Sequence, residues 1–183
     1  MNTPDATPDL LPLLAAVRAQ VAGAAAIAVL HIGDLQTSLA VAGLGQAPEA
    51  MALGIGARTT ATAHFRRDLP TPLELENAIA TVEDEVMRAR FLVATRPTLY
   101  TTDPALREMA RLAGASGTPA TLTLDAMESL FNRFSARVLG RPASQDGLPD
   151  TAAFAATLLI LRECMHHLQF STITCLDLPG PTA

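Results

Sequence analysis

The sequence predicts an α/β domain. Its centre is one mixed sheet of about five strands, an antiparallel meander of three extended by parallel crossovers, with four or five helices on its faces. Three observations predict it. Three apolar or β-prone runs follow one another between residues 26 and 60, separated only by glycine-containing turns. Helical apolar spacings then alternate with two more strand-like runs, at 91–100 and 171–176. A chain of 183 residues, 49% hydrophobic, is also long enough to bury roughly 70% of its unfolded surface without staples.

Residues 8–22 carry apolar side chains at Leu10, Leu13, Leu14, Val17 and Val21, the spacing of a helix, and Gly23 ends it. The run 26–32 is continuous and apolar between Gly23 and Gly33, as in a buried strand. Gly33, Asp34 and Gln36 mark a turn, and 37–42 alternates as a second strand. Residues 51–60 read as the third, with Gly54 and Gly56 pointing to a bulge or a close backbone approach. Thr71, Pro72 and Glu74 then form a capping box with proline at the first helical position, opening a helix to about Arg90. The fourth strand is expected at 91–100. Asp103 and Pro104 open a helix to Leu112, stopped by Gly114 and Gly117. Thr123 caps a helix over 124–139, a Pro/Gly/Asp loop follows, and 151–168 is a nearly all-apolar helix that needs cover on both sides. The last strand is 171–176.

This order is the ribonuclease-H-like one, which occurs twice in actin-like ATPases and here only once. The expected division is an N-terminal tail and helix at 1–23, the domain at 24–178 and a short tail at 179–183.

Composition excludes several functions. The net charge is −5 with no basic run, and there is no Trp and one Tyr, so neither phosphate-backbone binding nor base stacking has a platform. The longest apolar stretch, 21–32, is far short of the ~20 residues of a membrane helix. No basic segment precedes it as in a signal peptide, so the expected location is cytoplasmic. The two cysteines, Cys164 and Cys175, lack CxxC spacing and read as small core residues.

The segment VLHIGDLQTSL, residues 29–39, is an apolar strand, a glycine turn and a threonine-containing strand. Such a turn can present backbone N–H groups to a phosphoryl chain. It resembles the second phosphate hairpin of the exopolyphosphatase and guanosine pentaphosphate phosphohydrolase (Ppx/GppA) family. Three further stretches resemble that family in order: 51–86, with its Gly–Ala–Arg turn, 106–134, and 147–180. The resemblance implies the C-terminal half of an actin-like module. It also implies a ligand-binding hairpin at His31, Gly33, Asp34, Gln36 and Thr37, and a second loop at Thr101, Thr102 and Asp103.

Both loops depart from the family pattern. His31 stands where the family has an Asp, and of its three consecutive glycines and a Ser only Gly33 survives, with Asp34, Leu35 and Gln36 filling the rest of the turn. Asp34 puts a negative charge where a phosphate would sit, which at ~4 Å costs about 1 kcal/mol in water and more in a cleft. Pro104 removes an N–H donor from the second loop. The family's N-terminal lobe, with its first phosphate loop and catalytic carboxylate, is not expected within these residues.

The expectation is therefore an exopolyphosphatase-related, non-catalytic interaction or ligand-sensing domain, with no catalytic residue and no cofactor. The alternative is a Mg²⁺-dependent phosphoanhydride hydrolase acting on polyphosphate or guanosine pentaphosphate. His31 and Asp34 are the metal candidates, a sparse ligand set. His166 and His167 diverge by about 100° on a helix and suit its dipole. Glu83, Asp84 and Glu85 read as a solvated face, and His64, Arg66 and Arg67 as a solvated loop. The expected partner is a second copy, through the helix at 152–161 or that at 10–21, or else a separately encoded lobe.

Overall fold

Ile27–Ile32 (β1) is almost wholly buried because both faces of this central strand are covered. Ala28, Leu30 and Ile32 point into the main core, while Ile27 and Val29 pack under a single helix on the opposite face. In the computed structural model, which describes residues 9–21, 23–142 and 147–178, β1 pairs antiparallel with Thr37–Ala42 (β2). That strand pairs antiparallel with Glu49–Leu53 (β3). On the other side β1 runs parallel to Thr98–Thr101 (β4), and β4 parallel to Thr172–Cys175 (β6). Ala120–Thr123 (β5) closes the edge antiparallel to β6, so the six-stranded order is β3-β2-β1-β4-β6-β5. The mixed α/β sheet is the one expected, with one strand more. The expected tails at 1–8 and 179–183 lie outside the described residues.

The helices are Leu10–Gln20 (α1), Ala57–His64 (α2), Pro72–Met87 (α3), Pro104–Leu112 (α4), Leu124–Val138 (α5) and Ala152–His167 (α6). α1 lays Leu10, Leu14 and Val17 on Ile27, Val29, Ala40 and Leu176. Arg18 ties it down by donating to the carbonyls of Ala24 and Ala42. α6 is the hub of the other face, packed by α2, α3 and α5 and buried nearly without break from Ala155 to Met165. Its apolar surface is thus covered within the monomer. The capping box of α3 forms as expected, with Thr71 Oγ1 accepting from Glu74 N–H and Glu74 accepting from Thr71 N–H.

Three boundaries differ from the sequence reading. Residues 57–60 belong to α2 rather than to the third strand. Their threonines favour strands, but Ala57, Thr60 and Ala61 make a buried helical stripe, and tertiary caps described below stabilise the first turn. The fourth strand begins at Thr98, not at 91. Arg96 takes a left-handed φ of 51° and Pro97 has no N–H to donate, so the chain before them turns, leaving Phe91 exposed. β5 has no counterpart among the expected strands, because four residues that also supply the cap of α5 carry too little periodicity to register.

Candidate functional site

β1 and β4 are parallel neighbours, so their C-terminal ends lie side by side and bring the two sequence-derived loops together. The carboxylate of Asp103 joins them. Its Oδ1 is 2.6 Å from Nδ1 of His31, and its Oδ2 accepts from Ile32 N–H at 2.8 Å. Asp103 stands at the N-cap of α4, yet its side chain caps nothing there and is turned to β1 instead. Its own N–H donates to Thr101 Oγ1 at 3.1 Å. Asp103 and Thr101 are buried, and Thr102 is half-buried.

The hairpin turn is folded onto α2. Gly33 N–H donates to Gln36 O at 3.0 Å. Ala57 N–H donates to Gly33 O, and Arg58 and Thr59 N–H donate to Asp34 O, at 2.9–3.1 Å. The Thr59 hydroxyl donates to Leu35 O at 2.9 Å. Hairpin carbonyls thus occupy the first-turn N–H groups of α2, which any helix must pair somewhere. The closeness requires Gly56, because a Cβ there would lie 2.5 Å from Asp34 O, Gln36 N and Leu35 C. The close approach expected at the 54–56 glycines is therefore made at Gly56.

The remaining predicted residues are scattered around this latch. Asp34 and Leu35 are exposed, and Asp34 Oδ2 stands 3.8 Å from Arg58 Nε. Thr37 is wholly buried, and its hydroxyl has no hydrogen-bond partner among the described residues. The metal pair suggested by sequence, His31 with Asp34, is replaced by His31 with Asp103. Mg²⁺ takes an octahedron of oxygens; here each Asp103 oxygen already has a partner on β1, and exposed Asp34 stands near the Arg58 guanidinium.

A second polar cluster lies where α3, α5 and α6 meet. Glu163, on α6, is fully buried. Its Oε1 accepts from Arg162 Nη1 at 2.6 Å, and its Oε2 lies 3.0 Å from His167 Nε2, one turn on, without hydrogen-bond alignment. Glu83 Oε1, from α3, is 3.7 Å from the same nitrogen. Arg162 also donates from Nε to Glu128 Oε2 at 3.1 Å and stacks over Phe131. Burial pulls the Arg162 pKa down, but Glu128 and Glu163 outweigh it and hold the guanidinium above its ordinary value. Neighbouring Cys164 is inert, its thiol pushed up to about 12 by burial. Sequence reasoning assigned Glu83 to a solvated face and His167 to a helix dipole. The available signal was the i, i+4 spacing of Glu163 and His167 on a helix expected to be covered on both sides.

No known family profile matches the sequence, and no curated protein sequence does. Solved structures do. The chain superposes on the Aquifex aeolicus Ppx/GppA phosphatase, type II variant, with a TM-score of 0.70 at 16% identity. The match covers 89% of this chain and 57% of that one. The fold is that of the Ppx/GppA phosphatases. An exopolyphosphatase from Cytophaga hutchinsonii matches with a TM-score of 0.56 at 12% identity, covering 85% of this chain and 55% of its own. An exopolyphosphatase-like protein gives 0.62 at 15%, covering 84% and 55%. The chain thus spans little more than half the length of these Ppx/GppA-fold proteins. Among the described residues no helix is long and apolar enough to cross a membrane.

Proposed function

We propose that this chain is an exopolyphosphatase-related, non-catalytic domain that senses a ligand or binds a partner in the cytoplasm. One observation carries the reading. At the hairpin where a phosphate-binding turn would offer N–H groups, the internal carboxylate of Asp103 accepts the Ile32 N–H and holds His31. An acid of the chain itself thus stands where an anionic ligand would, and Asp34 adds a second negative charge in the turn. The hairpin carbonyls, meanwhile, serve α2.

The likeness in fold to exopolyphosphatase structures favours a second reading, a Mg²⁺-dependent hydrolase of polyphosphate or guanosine pentaphosphate. Phosphate release from long-chain polyphosphate with Mg²⁺ separates the two. The expected result is no release above a protein-free control. Release that disappears in His31→Ala or Asp103→Ala would establish the hydrolase. A thermal-shift screen against nucleotides and polyphosphate tests sensing, since a ligand at 100 times its Kd stabilises by about 2.7 kcal/mol.

The partner in this reading is a second copy, with a separately encoded lobe as the other outcome. α6 is not its surface, because its apolar residues are already buried in the monomer. α1, with Leu11 exposed on its outer side, is. Sedimentation is expected to give a dimer that Leu11→Glu dissociates.

A further inference from the structure

We infer that Glu83, Glu163 and His167 form a binding site for a divalent transition ion of the Zn²⁺ class, clamping α3 to α6. The three side chains each present one ligand atom, and these atoms all lie within 4.8 Å of one another. Four-coordinate Zn²⁺ with bonds of about 2.1 Å sets its ligands roughly 3.4 Å apart. His167 Nε2 stands 3.0 Å from Glu163 Oε2 and 3.7 Å from Glu83 Oε1, which brackets that spacing. Closing to metal bonds therefore needs only side-chain adjustment.

The burial of Glu163 is the independent observation that points to a ligand. Its side chain is 1% exposed, and Oε2 has no hydrogen-bond partner although it faces the cluster. Buried carboxylate oxygens without partners are costly. The other oxygen, Oε1, is held by Arg162 Nη1, and Arg162 is in turn held by Glu128. That chain is the outer shell that orients a metal-ligating carboxylate, leaving one oxygen for the ion. Glu83 and His167 are 45% and 23% exposed in their side chains, so the ion reaches the site from solvent without opening the core.

The chemistry favours a borderline ion. One imidazole nitrogen with two carboxylate oxygens suits Zn²⁺ or Co²⁺ better than Mg²⁺ or Ca²⁺, which take oxygen sets. The three ligands leave a fourth position for water. The site sits on the helical layer, on different residues from the latch at the ends of β1 and β4, and does not depend on the reading of the latch.

The test uses the intact chain after treatment with a chelator. Co²⁺ is titrated and followed by its visible d–d absorption, with Zn²⁺ as competitor and Tm as a second readout. The expected result is one Co²⁺ per chain, displaced by Zn²⁺, with a Tm rise of several degrees at saturating Zn²⁺. Glu83→Gln and His167→Gln are each expected to weaken binding at least tenfold. Both positions are partly exposed, so these variants keep the fold, which circular dichroism checks. His166→Gln is expected to bind within about twofold of wild type, since its ring nitrogen lies by Glu128 at 3.5 Å and it meets His167 only edge-on, offering no ligand atom to the three-residue site. Absence of both the Co²⁺ band and the Tm shift in the wild-type chain overturns the site. So does a Glu83→Gln variant that titrates like wild type, or a His166→Gln variant that loses binding equally. An ordinary ion pair between His167 and Glu163 predicts those negative results.

Discussion

The latch at His31 and Asp103 and the cluster at Glu163 are both polar groups in an apolar domain, and they meet burial in opposite ways. At the latch both oxygens of Asp103 have partners on β1, one a ring nitrogen and one a backbone N–H. At the cluster Glu163 is more deeply buried, yet one oxygen has no hydrogen bond. A satisfied carboxylate fixes structure. An unsatisfied one stores a free-energy penalty that a ligand can relieve. In the reading proposed above, the region that most resembles a phosphate site by sequence is the closed one, and the spare coordinating capacity lies at Glu163.

That contrast can be broken at several points. The largest effect is expected from Arg162→Leu, which leaves Glu163 without its cation. Removing one partner of a buried pair costs about 3–5 kcal/mol, and chemical denaturation should find this loss. A loss below about 1 kcal/mol would mean that Glu163 does not depend on Arg162, and the cluster would no longer differ from the latch.

Next comes the seating of the hairpin on α2. Gly56→Ala forces a methyl against three backbone atoms and is expected to cost about 3 kcal/mol, near the upper end for overpacking. At about 2–4 °C per kcal/mol for a domain of this size, the Tm should fall by roughly ten degrees. A Tm within two degrees of wild type would show that the hairpin can lift off α2, reopening its N–H groups.

Asp103→Ala is expected to cost about 2 kcal/mol, the range for leaving a buried donor unpaired. Because His31 and Asp103 act as one unit, His31→Ala added to Asp103→Ala should cost little more. A double-mutant cycle with additive losses would dissolve the latch into two independent residues.

The smallest effect is in acid. Glu85 is held below the usual carboxylate range, chiefly by Arg88, with the Gly54 N–H helping against desolvation. Its folded-state pKa is depressed, so its contribution is complete above the unfolded value of about 4.3 and fades as pH falls through the lower folded value. Tm measured from neutral pH down to about pH 3 should therefore drop slightly more steeply in wild type than in Glu85→Gln. Equal slopes would show that the Arg88 and Gly54 contacts of Glu85 contribute nothing to acid stability.

The sequence by itself determined the sheet centre and the helix starts other than that of α2, since these depend on neighbours in the chain. Periodicity located β1, β2 and α6, and the Thr71–Glu74 box placed the start of α3. It also supplied the Ppx/GppA resemblance in fold and named the residues of the hairpin. Tertiary structure decided what those residues do. Only the parallel register of β1 and β4 brings Asp103 to Ile32, 71 positions away. Only the seating of Gly56 under the hairpin converts a threonine-rich, strand-like run into α2. Only the packing of α3 on α6 sets Glu83 beside His167. Hydrophobic spacing is a local property that a sequence displays directly. The partner of a buried carboxylate is set by groups far along the chain, which only the folded arrangement brings within hydrogen-bonding distance.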